Sequence, residues 1–480
     1  MSVIIVLAAL AFLMFAAYRG YSVILFAPLA ALGAVLLTDP SAVAPVFSGI
    51  FMEKMVGFVK LYFPVFLLGA VFGKVIELSG FSRSIVASVI RVVGAKRAML
   101  SIVLVCALLT YGGVSLFVVV FAVYPFAAEM FRQGNIPKRL IPGTIALGAF
   151  SFTMDSLPGT PQIQNIIPTT FFHTTSWAAP WLGTIGALFI IVVGMSYLEW
   201  RRRVALRNGH GYDHGLTKLV NEPETAETGT LANPLIALSP LVLVGVMNLL
   251  FTRWIPTWYG KVVTVALPGL PKPLTVEADK LTAIWAVEAA LLIGIIVVLV
   301  FGFRAVKGRF AEGSKAAVSG ALLAAMNTAS EYGFGGVIAA LPGFLVLADG
   351  LRAHRHGFID ERIRNRTQAV GQHQEAVTVS TLAGITGSAS GGMSIALAAM
   401  ADQFVQAAQA TGIPMEVLHR VASMASGGMD TLPHNGAVIT LLAVTGLTHC
   451  EAYRDVFCVT IIKTLAVFFV IAVFYATGIV

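Results

Sequence analysis

The sequence predicts an all-α polytopic membrane protein, on the basis of its composition, its long uncharged blocks and an internal repeat. Of the 480 residues, 57% are hydrophobic and 12% are charged, whereas a soluble domain carries about 25% charged residues. Charge-free apolar blocks cover residues 2–18, 20–38, 177–198 and 231–252. Because roughly 20 apolar residues span a bilayer as a helix, these blocks predict membrane-spanning helices.

The net charge of +8 predicts membrane orientation rather than nucleic-acid binding. Much of the basic charge lies between apolar blocks, at residues 199–207 and 304–309, and such segments stay in the cytoplasm. The three cysteines, Cys106, Cys450 and Cys458, lie in or beside apolar segments without metal-ligand spacing. We therefore expect packing roles, no disulfide and no bound metal. No basic run precedes the first apolar block, which predicts a retained span rather than a cleaved signal peptide.

Short motifs recur in the same order in the two halves of the chain. Met-Asp-Ser-Leu-Pro at residues 154–158 matches Met-Asp-Thr-Leu-Pro at residues 429–433. Upstream of each, Gly-Gly-Val-Ser at residues 112–115 matches Gly-Gly-Met-Ser at residues 391–394. Matches in one order predict an internal repeat, although each would be weak alone.

Charge predicts that the two repeats have opposite orientations. Residues 131–140 contain Arg132, Lys138 and Arg139, whereas the matching residues 401–418 contain no lysine or arginine. By the positive-inside rule one loop is cytoplasmic and the other external, which is typical of an inverted-topology repeat. The predicted units are a first membrane repeat at residues 1–198, a cytoplasmic linker at residues 199–230 and a second membrane repeat at residues 231–480.

Each repeat is predicted to contain a re-entrant helical hairpin followed by a broken membrane helix. Two basic segments flank residues 98–131, whose first stretch is too short to cross, so this segment enters and leaves on one side. Proline and polar residues interrupt the next apolar stretch, and irregular backbone survives at membrane depth only where it is buried or lines a cavity. The predicted hairpins are residues 98–131 and 372–403, and the predicted broken helices are residues 140–172 and 421–447. Residues 351–366, with five arginines on the predicted external side, do not fit this scheme.

The hairpin tips and the two breaks form the predicted binding site, because paired interruptions mark the site of a secondary carrier. Half-helix amino termini present amides and a positive dipole to an anion. In a second interpretation, the side chains of Gln162, Gln164 and Asn165 only form hydrogen bonds with backbone groups that the break leaves unpaired. The predicted substrate-binding residues are Gly112, Gly113, Ser115, Ser156, Thr160, Gln162, Gln164, Asn165, Ser388, Ser390, Gly391, Gly392, Ser394, Thr431 and Asn435.

Asp155 and Asp430 are predicted to carry the coupling proton or cation, since an ionisable group inside a membrane marks a functional site. A capping role for each aspartate is the alternative, and the two roles are compatible. His434 is a third candidate because histidine titrates near neutral pH, with a packing role as its alternative. Glu331 is either a further protonatable group or, as we prefer, the partner of a basic residue. Glu375 flanks a predicted span, where an interfacial position is expected.

Sequence patterns for enzyme chemistry are missing. The chain contains no Gly-x-x-x-x-Gly-Lys phosphate loop, no His-Glu-x-x-His motif and no Gly-x-Ser-x-Gly elbow. We therefore predict neither catalytic residues nor a cofactor.

Together the motifs resemble the gluconate:proton symporter (GntP) family of the ion transporter superfamily. The resemblance rests on the Gly-Gly-Val-Ser tip, the basic loop at residues 132–139 and the paired Met-Asp-(Ser/Thr)-Leu-Pro elements. It implies a bacterial inner-membrane, proton-driven symporter of hydroxy or sugar acids, built as a dimer with a fixed scaffold and a moving transport domain. The first break, at residues 157–165, is richer in proline and glutamine than in gluconate carriers. That departure resembles a divergent branch, some of which is associated with 3-hydroxybutyrate or other short carboxylates.

The leading functional hypothesis is a proton-coupled symporter of a small organic anion, gluconate-like or a hydroxy monocarboxylate, with an elevator-type mechanism. The alternatives are a cation/proton antiporter, a sodium-coupled di- or tricarboxylate carrier and a passive channel. The Ser-Asn-Thr tip of sodium-driven dicarboxylate carriers is absent, which favours protons over sodium. Expected partners are the substrate, protons, the bilayer and a second copy of the chain, and no nucleic acid.

Overall fold

The structure, a computed structural model, is a bundle of helices. It describes residues 2–19, 21–94, 97–114, 116–214, 219–222, 231–269, 271–344, 346, 367–386, 388–433 and 435–480. The predictions made for Ser115, His434 and residues 351–366 lie outside the described residues, as does part of the predicted linker.

Apolar helices dominate both halves of the chain. The helices of the first half are α1 (Ser2–Tyr18), α2 (Val23–Thr38), α3 (Val43–Val46), α4 (Met52–Leu78), α5 (Phe81–Val93), α6 (Ala98–Tyr111), α7 (Leu116–Gln133), α8 (Ile141–Ala149), α9 (Phe152–Asp155), α10 (Ile163–Phe172) and α11 (Pro180–Arg207). Those of the second half are α12 (Pro234–Tyr259), α13 (Ala278–Val306), α14 (Phe310–Ala340), α15 (Thr367–Thr386), α16 (Ala389–Thr411), α17 (Met415–Gly427), α18 (Gly436–Thr445) and α19 (His449–Thr477). Within the described ranges, five segments are long and apolar enough to cross a membrane: Pro40–Leu78, which contains α4, and helices α11, α12, α13 and α19.

A short β-hairpin between α12 and α13 departs from the purely helical prediction. Strand β1 (Val262–Val265) pairs antiparallel with β2 (Leu274–Glu277), and Val262 lies opposite Glu277. Both strands are mostly exposed. Their runs of valine and threonine favour extended backbone. Because the segments are short and lie between two apolar blocks, the sequence alone predicts a loop there.

Two predicted boundaries differ from the observed ones. Helix α11 continues through the first part of the predicted linker, because Glu199 pairs with Arg202 and Arg203 one turn later, and such pairs support a helix. Most of residues 401–418, predicted as a loop, is also helical. The connection from α16 to α17 is short, since Gly412 has a φ of +71° and Pro414 directly precedes α17.

The helices pack in two groups, one around α4 and α13 and the other around the two hairpins and α17. Helix α4 packs along α13 and α14, and α12 packs along α13. The hairpin helices pair with each other, α6 with α7 and α15 with α16. Helix α17 packs against α10, α15, α16 and α19, so it connects the segments that surround both interruptions.

Candidate functional site

The two interrupted segments meet inside the bundle. We call residues 156–162, between α9 and α10, the first break, and residues 428–435, between α17 and α18, the second break. Gln164, in the first turn of α10, donates from Nε2 to Asp430 Oδ2 over 3.2 Å. Both side chains are buried. The two halves of the chain therefore contact each other directly at the matched motifs.

Asp430 lies where the amino-terminal ends of three helices converge. Besides Gln164 of α10, its Oδ1 accepts from the amide of Ala389, the first residue of α16, at 3.4 Å, and from Nδ2 of Asn435 at 3.2 Å. Asn435 is the N-cap of α18 and accepts from the amide of Ala437. Helix amino termini carry partial positive charge and hold anions. Asp430 supplies the negative charge at this position, and these three donors are neutral.

Asp155, the matching aspartate of the first half, has different surroundings. Its Oδ1 accepts from Ser156 Oγ at 2.6 Å, and its Oδ2 lies 4.0 Å from Nζ of Lys463 on α19. Lys463 also donates to the carbonyl oxygen of Phe150. A Cβ atom on Gly427 would overlap Asp155 Oδ2, so this carboxyl group packs against the carboxyl-terminal end of α17.

Neither aspartate is the N-cap of the helix that follows its break. Gln162 precedes α10 and Asn435 precedes α18, and only Asn435 makes a side-chain cap. The capping alternative therefore does not hold at α10 or α18. Asp430 instead accepts the first amide of α16, a helix from another part of the chain.

Arg420 of α17 is fully buried and ties the second half of the chain to the first break. Its Nη1 donates to the carbonyl of Asp155 at 2.8 Å and to Asn165 Oδ1 at 3.1 Å, and its Nη2 donates to the carbonyl of Ala178 at 2.6 Å. Ser423 donates to the same Asp155 carbonyl at 2.9 Å. A helix end leaves its last carbonyls without helical partners, and these side chains supply the missing donors.

Asn165 is occupied by protein groups. Its Nδ2 donates to the carbonyls of Thr160 and Ser176 at 3.0 and 2.8 Å. Its Oδ1 accepts from the guanidinium and lies 3.2 Å from His419 Nε2. A carboxamide has two donor hydrogens and two acceptor lone pairs, so no capacity is left for a ligand. We therefore assign Asn165 to stabilising the first break, contrary to the predicted substrate contact.

The described part of the first hairpin tip, residues 112–114 between α6 and α7, is tightly packed. A Cβ atom on Gly112 would overlap Leu241 of α12, and Gly113 has a φ of +96°, which favours glycine. Gln162 donates from Nε2 to the carbonyl of Thr110 at 2.8 Å. Gly112 thus permits close packing on α12, Gly113 permits the turn, and Gln162 joins the tip to the first break by a hydrogen bond.

The second hairpin tip, between α15 and α16, is polar. Ser388 is the N-cap of α16 and accepts from the amide of Gly391 at 3.1 Å. The hydroxyl oxygens of Ser388 and Ser390 lie 3.5 Å apart. This tip presents hydroxyl groups and the amino terminus of α16 beside Asp430.

Three further predicted residues have contacts within the protein. Thr431 Oγ1 lies 2.6 Å from Thr460 Oγ1 on α19. Ser394 donates to the carbonyl of Ser390 at 2.7 Å. A Cβ atom on Gly392 would overlap the backbone of α15, so this glycine permits close packing within the hairpin.

A few buried polar atoms at the breaks have no hydrogen-bond partner among the described residues. They are Thr160 Oγ1, Gln164 Oε1 and Asp155 Oδ2. Such atoms are rare in folded proteins, so they have capacity for a substrate, an ion or water. We call Gln164, Asp430, Asn435 and the first turn of α16 the central site. In the part of the chain that the structure describes, no group of three or more His, Cys, Asp or Glu side chains is arranged to hold a metal ion.

A cavity of about 330 Å³ lies beside the first tip rather than at the aspartates. Its walls include Tyr111, Gly112, Trp177 and apolar side chains of α12. Specific small-molecule sites combine apolar walls with a few convergent polar groups. This cavity offers no charged group to an organic anion, so the hydrogen-bond geometry at Asp430 is the better guide to the site.

Sequence reasoning missed several buried charged or polar side chains. His419 and Arg420 fall between the predicted loop and the predicted broken helix. Lys463 was visible as the single charge in residues 456–480, and that signal was not used. Glu375, expected at an interface, is fully buried, and neither carboxylate oxygen has a partner among the described residues.

The helical fold, with five segments long and apolar enough to cross a bilayer among the described residues, is that of a multi-pass membrane protein. The chain is 58% identical over 485 residues to the Bacillus subtilis (strain 168) protein named "Uncharacterized transporter YxjC", with 100% of each chain covered. It therefore belongs to the family of that transporter. No protein-family model matches the chain, and membership of the gluconate:proton symporter family stays a prediction.

A solved structure supports the fold. The chain is similar to the Alcanivorax borkumensis YdaH transporter, whose crystal structure is described as having an unusual topology. The TM-score is 0.51 at 15% identity, with 92% of this chain and 90% of that chain covered. Similarity at this identity shows the fold alone. The predicted class of helical, multi-pass membrane protein is confirmed, while the inverted repeat stays a prediction.

Proposed function

We propose that the protein is a secondary active transporter that moves a small organic anion together with protons. The observation that carries this proposal is the position of Asp430, a buried carboxyl group among three helix amino termini. Such a position favours one negative charge. Asp430 supplies that charge in the empty carrier, and the substrate carboxylate supplies it in the loaded one.

The exchange of one carboxylate for another requires a proton. When Asp430 is protonated, the amide of Ala389 and the side chains of Gln164 and Asn435 become available to the substrate. Anion and proton together leave the net charge of the buried region unchanged, which limits the cost of moving charge through a low-dielectric interior. Coupled movement follows because either charge alone is costly there.

Hydrogen-bonding capacity at the site suits a carboxylate that also carries hydroxyl groups. Thr160 Oγ1 and Gln164 Oε1 are buried without partners in the described structure, and both can bond to a hydroxyl group. A gluconate-like acid or a hydroxy monocarboxylate such as 3-hydroxybutyrate matches that pattern. We therefore propose that the protein is a member of the gluconate:proton symporter family or of a divergent branch of it.

Alternating access is proposed to use an elevator-type movement. The two hairpins and the two breaks would move as one unit, joined through α17, against α4, α12 and α13. Contacts of α17 with α10, α15, α16 and α19 support such a unit. We further propose a homodimer in the bacterial inner membrane, with the linker between the halves in the cytoplasm.

A cation/proton antiporter is the second candidate. It is favoured by Asp155, whose Oδ2 has no hydrogen-bond partner among the described residues and lies 4.0 Å from Lys463 Nζ. A cation that displaces this ammonium group would use both aspartates and no organic substrate.

Uptake into proteoliposomes tests the proposal. Labelled 3-hydroxybutyrate, gluconate and citrate are supplied with an inwardly directed proton gradient, a sodium gradient or neither. We expect the proton gradient to drive accumulation of a monocarboxylate and the sodium gradient to have no effect. Proton efflux on addition of sodium or potassium, without uptake of any carboxylate, would instead establish the antiporter. Citrate uptake driven by sodium would establish a sodium-coupled carrier.

A further inference from the structure

Glu331, in the middle of α14, is an isolated buried carboxyl group. It is 3% exposed, and its Oε2 has no hydrogen-bond partner among the residues that the structure describes. The basic partner preferred from sequence is not found among the described residues. An unpaired charge in such a place is costly, and an ionisable group inside a membrane protein marks a functional site.

The carboxyl group of Glu331 touches the second hairpin tip. A Cβ atom on Gly391, the third residue of α16, would overlap Glu331 Oε2. Thr328, one turn earlier on α14, has its Oγ1 3.3 Å from Ser390 Oγ. Helix α14 thus contacts the first turn of α16 at two adjacent positions.

The same helix turn also contacts Asp430. The amide of Ala389 donates to Asp430 Oδ1 at 3.4 Å, while Gly391 meets Glu331. Two carboxyl groups from different elements therefore lie beside one helix amino terminus. A substrate carboxylate bound there would add a third negative charge. Like charges repel strongly in a low-dielectric interior, so binding of the anion requires a proton on each carboxyl group.

The charged groups near α14 do not neutralise Glu331. Helix α2, which packs on α14, contains no titratable residue. On α4, Lys54 packs beside Gly336, and Lys74 pairs with Glu77 at 2.9 Å. The other titratable groups on the packed elements are Tyr62, which donates to Ile167, and the exposed Glu53, Lys60 and Asp402.

We propose that Glu331 binds a second coupling proton and, together with Asp430, controls anion binding at the amino terminus of α16. This rests on the proposed function, because it adds a second proton to the same transport cycle. With two protons, a monocarboxylate moves with one net positive charge. With Asp430 alone, transport is electroneutral.

The membrane potential separates these two cases in proteoliposomes. With equal pH on both sides, a potassium diffusion potential of 100 mV, negative inside, acts on one charge with about 2.3 kcal/mol. The accumulation ratio of 3-hydroxybutyrate, or of whichever monocarboxylate is taken up, should rise about 50-fold for the wild type. For Glu331→Gln we expect accumulation that responds to a pH gradient and not to the potential. Glu288→Gln is the matched control, because Glu288 is a partly exposed glutamate on α13, and it should keep both responses.

The possible results test the second proton site, the role of Glu331 and the proposed function separately. Wild-type uptake that follows pH but ignores the potential overturns the second proton site and leaves proton coupling intact, even where the variant does not fold. A Glu331→Gln variant that keeps the wild-type potential response overturns the role of Glu331. Failure of the wild type to accumulate any carboxylate under a pH gradient contradicts the proposed function itself. If the variant folds but is inactive, the number of protons taken up when the ligand binds in detergent is measured instead. We expect two protons for the wild type and one for the variant.

Discussion

The two breaks contain nearly the same motif, but the protein stabilises them differently. Side chains from distant helices fix the first break: Arg420 and Ser423 bind the carbonyl of Asp155, and Asn248 of α12 donates to the carbonyl of Gly159 at 3.0 Å. These donors replace hydrogen bonds that a continuous helix would make. The first break is therefore held in place by side chains from several other helices.

The second break is stabilised by side chains of α19 and by its own Asn435. Tyr453 donates to the carbonyl of Thr431 at 3.2 Å, and Asn435 bonds both to Asp430 and to the start of α18. Its aspartate faces the other break, whereas Asp155 faces Lys463 and α17. Asp430 is 7% exposed and Asp155 is 1% exposed, so both are buried and Asp430 slightly less completely. The two copies of the motif thus have different surroundings, and we propose a structural role for the first and a binding role for the second.

Removal of Arg420 is the most severe test of that division. Arg420→Ala leaves buried carbonyls without donors, and breaking a buried charged network costs about 3–5 kcal/mol. We expect a large fall in the thermal unfolding midpoint and in the yield of monodisperse protein. Arg202→Ala is the control, because its pair with Glu199 is local and partly exposed, and such pairs contribute about 0–1 kcal/mol. Equal stability of the two variants would mean that Arg420 does not fix the first break.

The two aspartates should separate transport from stability. Asp430→Asn should reduce accumulation driven by a pH gradient to the level seen without the gradient, because the neutral amide resembles the protonated carboxyl group and can neither bind nor release the coupling proton. Asp155→Asn should mainly lower the unfolding midpoint, since it leaves Lys463 buried without its carboxylate. The measurements are accumulation with and without the pH gradient, normalised to folded protein, together with thermal unfolding. Equal losses of transport in the two variants would contradict the division of roles.

The part of this division that sequence could predict is local. Charge-free blocks, glycines at the tips and prolines at the breaks act through the backbone of their own segment, so composition and spacing are enough to indicate helices and interruptions. The pairing of the two Met-Asp motifs likewise needs only the sequence. The helical membrane fold was predicted for this reason, while the β-hairpin was too short to leave a pattern.

The roles of individual side chains depend on distant partners and could not be predicted. Arg420 donates to the carbonyl of Ala178, 242 residues away in the chain. The sequence around position 420 contains no pattern that predicts this contact. Gln164 and Asn165 are neighbours with the same chemistry. Among the described residues, Gln164 Oε1 has no hydrogen-bond partner, whereas both polar atoms of the Asn165 side chain are paired. Only the tertiary structure shows which carboxamide is left for a ligand.

A short part of the linker contacts both the start of the first broken helix, at α8, and the end of the second, at α18. Lys138, just before α8, is buried, and its Nζ donates to the carbonyl of Val220 at 2.7 Å and to Glu222 Oε1 at 2.8 Å. Asn221 donates to the carbonyl of Ala443, near the end of α18, at 2.8 Å. The start of one broken helix and the end of the other are thus tied to the same residues, as expected if the two run in opposite directions.

The pH dependence of this contact gives the smallest expected effect. Burial alone would raise the pKa of Glu222, but hydrogen bonds from Lys138 and Arg132 lower it below its usual 4.5. A carboxyl group whose pKa is lowered by folding stabilises the protein above its unfolded-state pKa, and this is lost as the pH falls through the folded-state pKa. Glu222→Gln should therefore cost about 1 kcal/mol at pH 7 and progressively less below pH 4.5.

Unfolding midpoints of the wild type and of Glu222→Gln, measured from pH 7 down to pH 3, test this expectation. Glu277→Gln serves as the control because its pair with Lys280 is local and exposed, and its difference from the wild type should be near zero throughout. A gap for Glu222→Gln that stays constant, or widens, as the pH falls would show that the carboxylate charge does not hold the linker. If the gap closes as expected while uptake at pH 7 also falls, the linker contact stabilises the arrangement of the two breaks that transport requires.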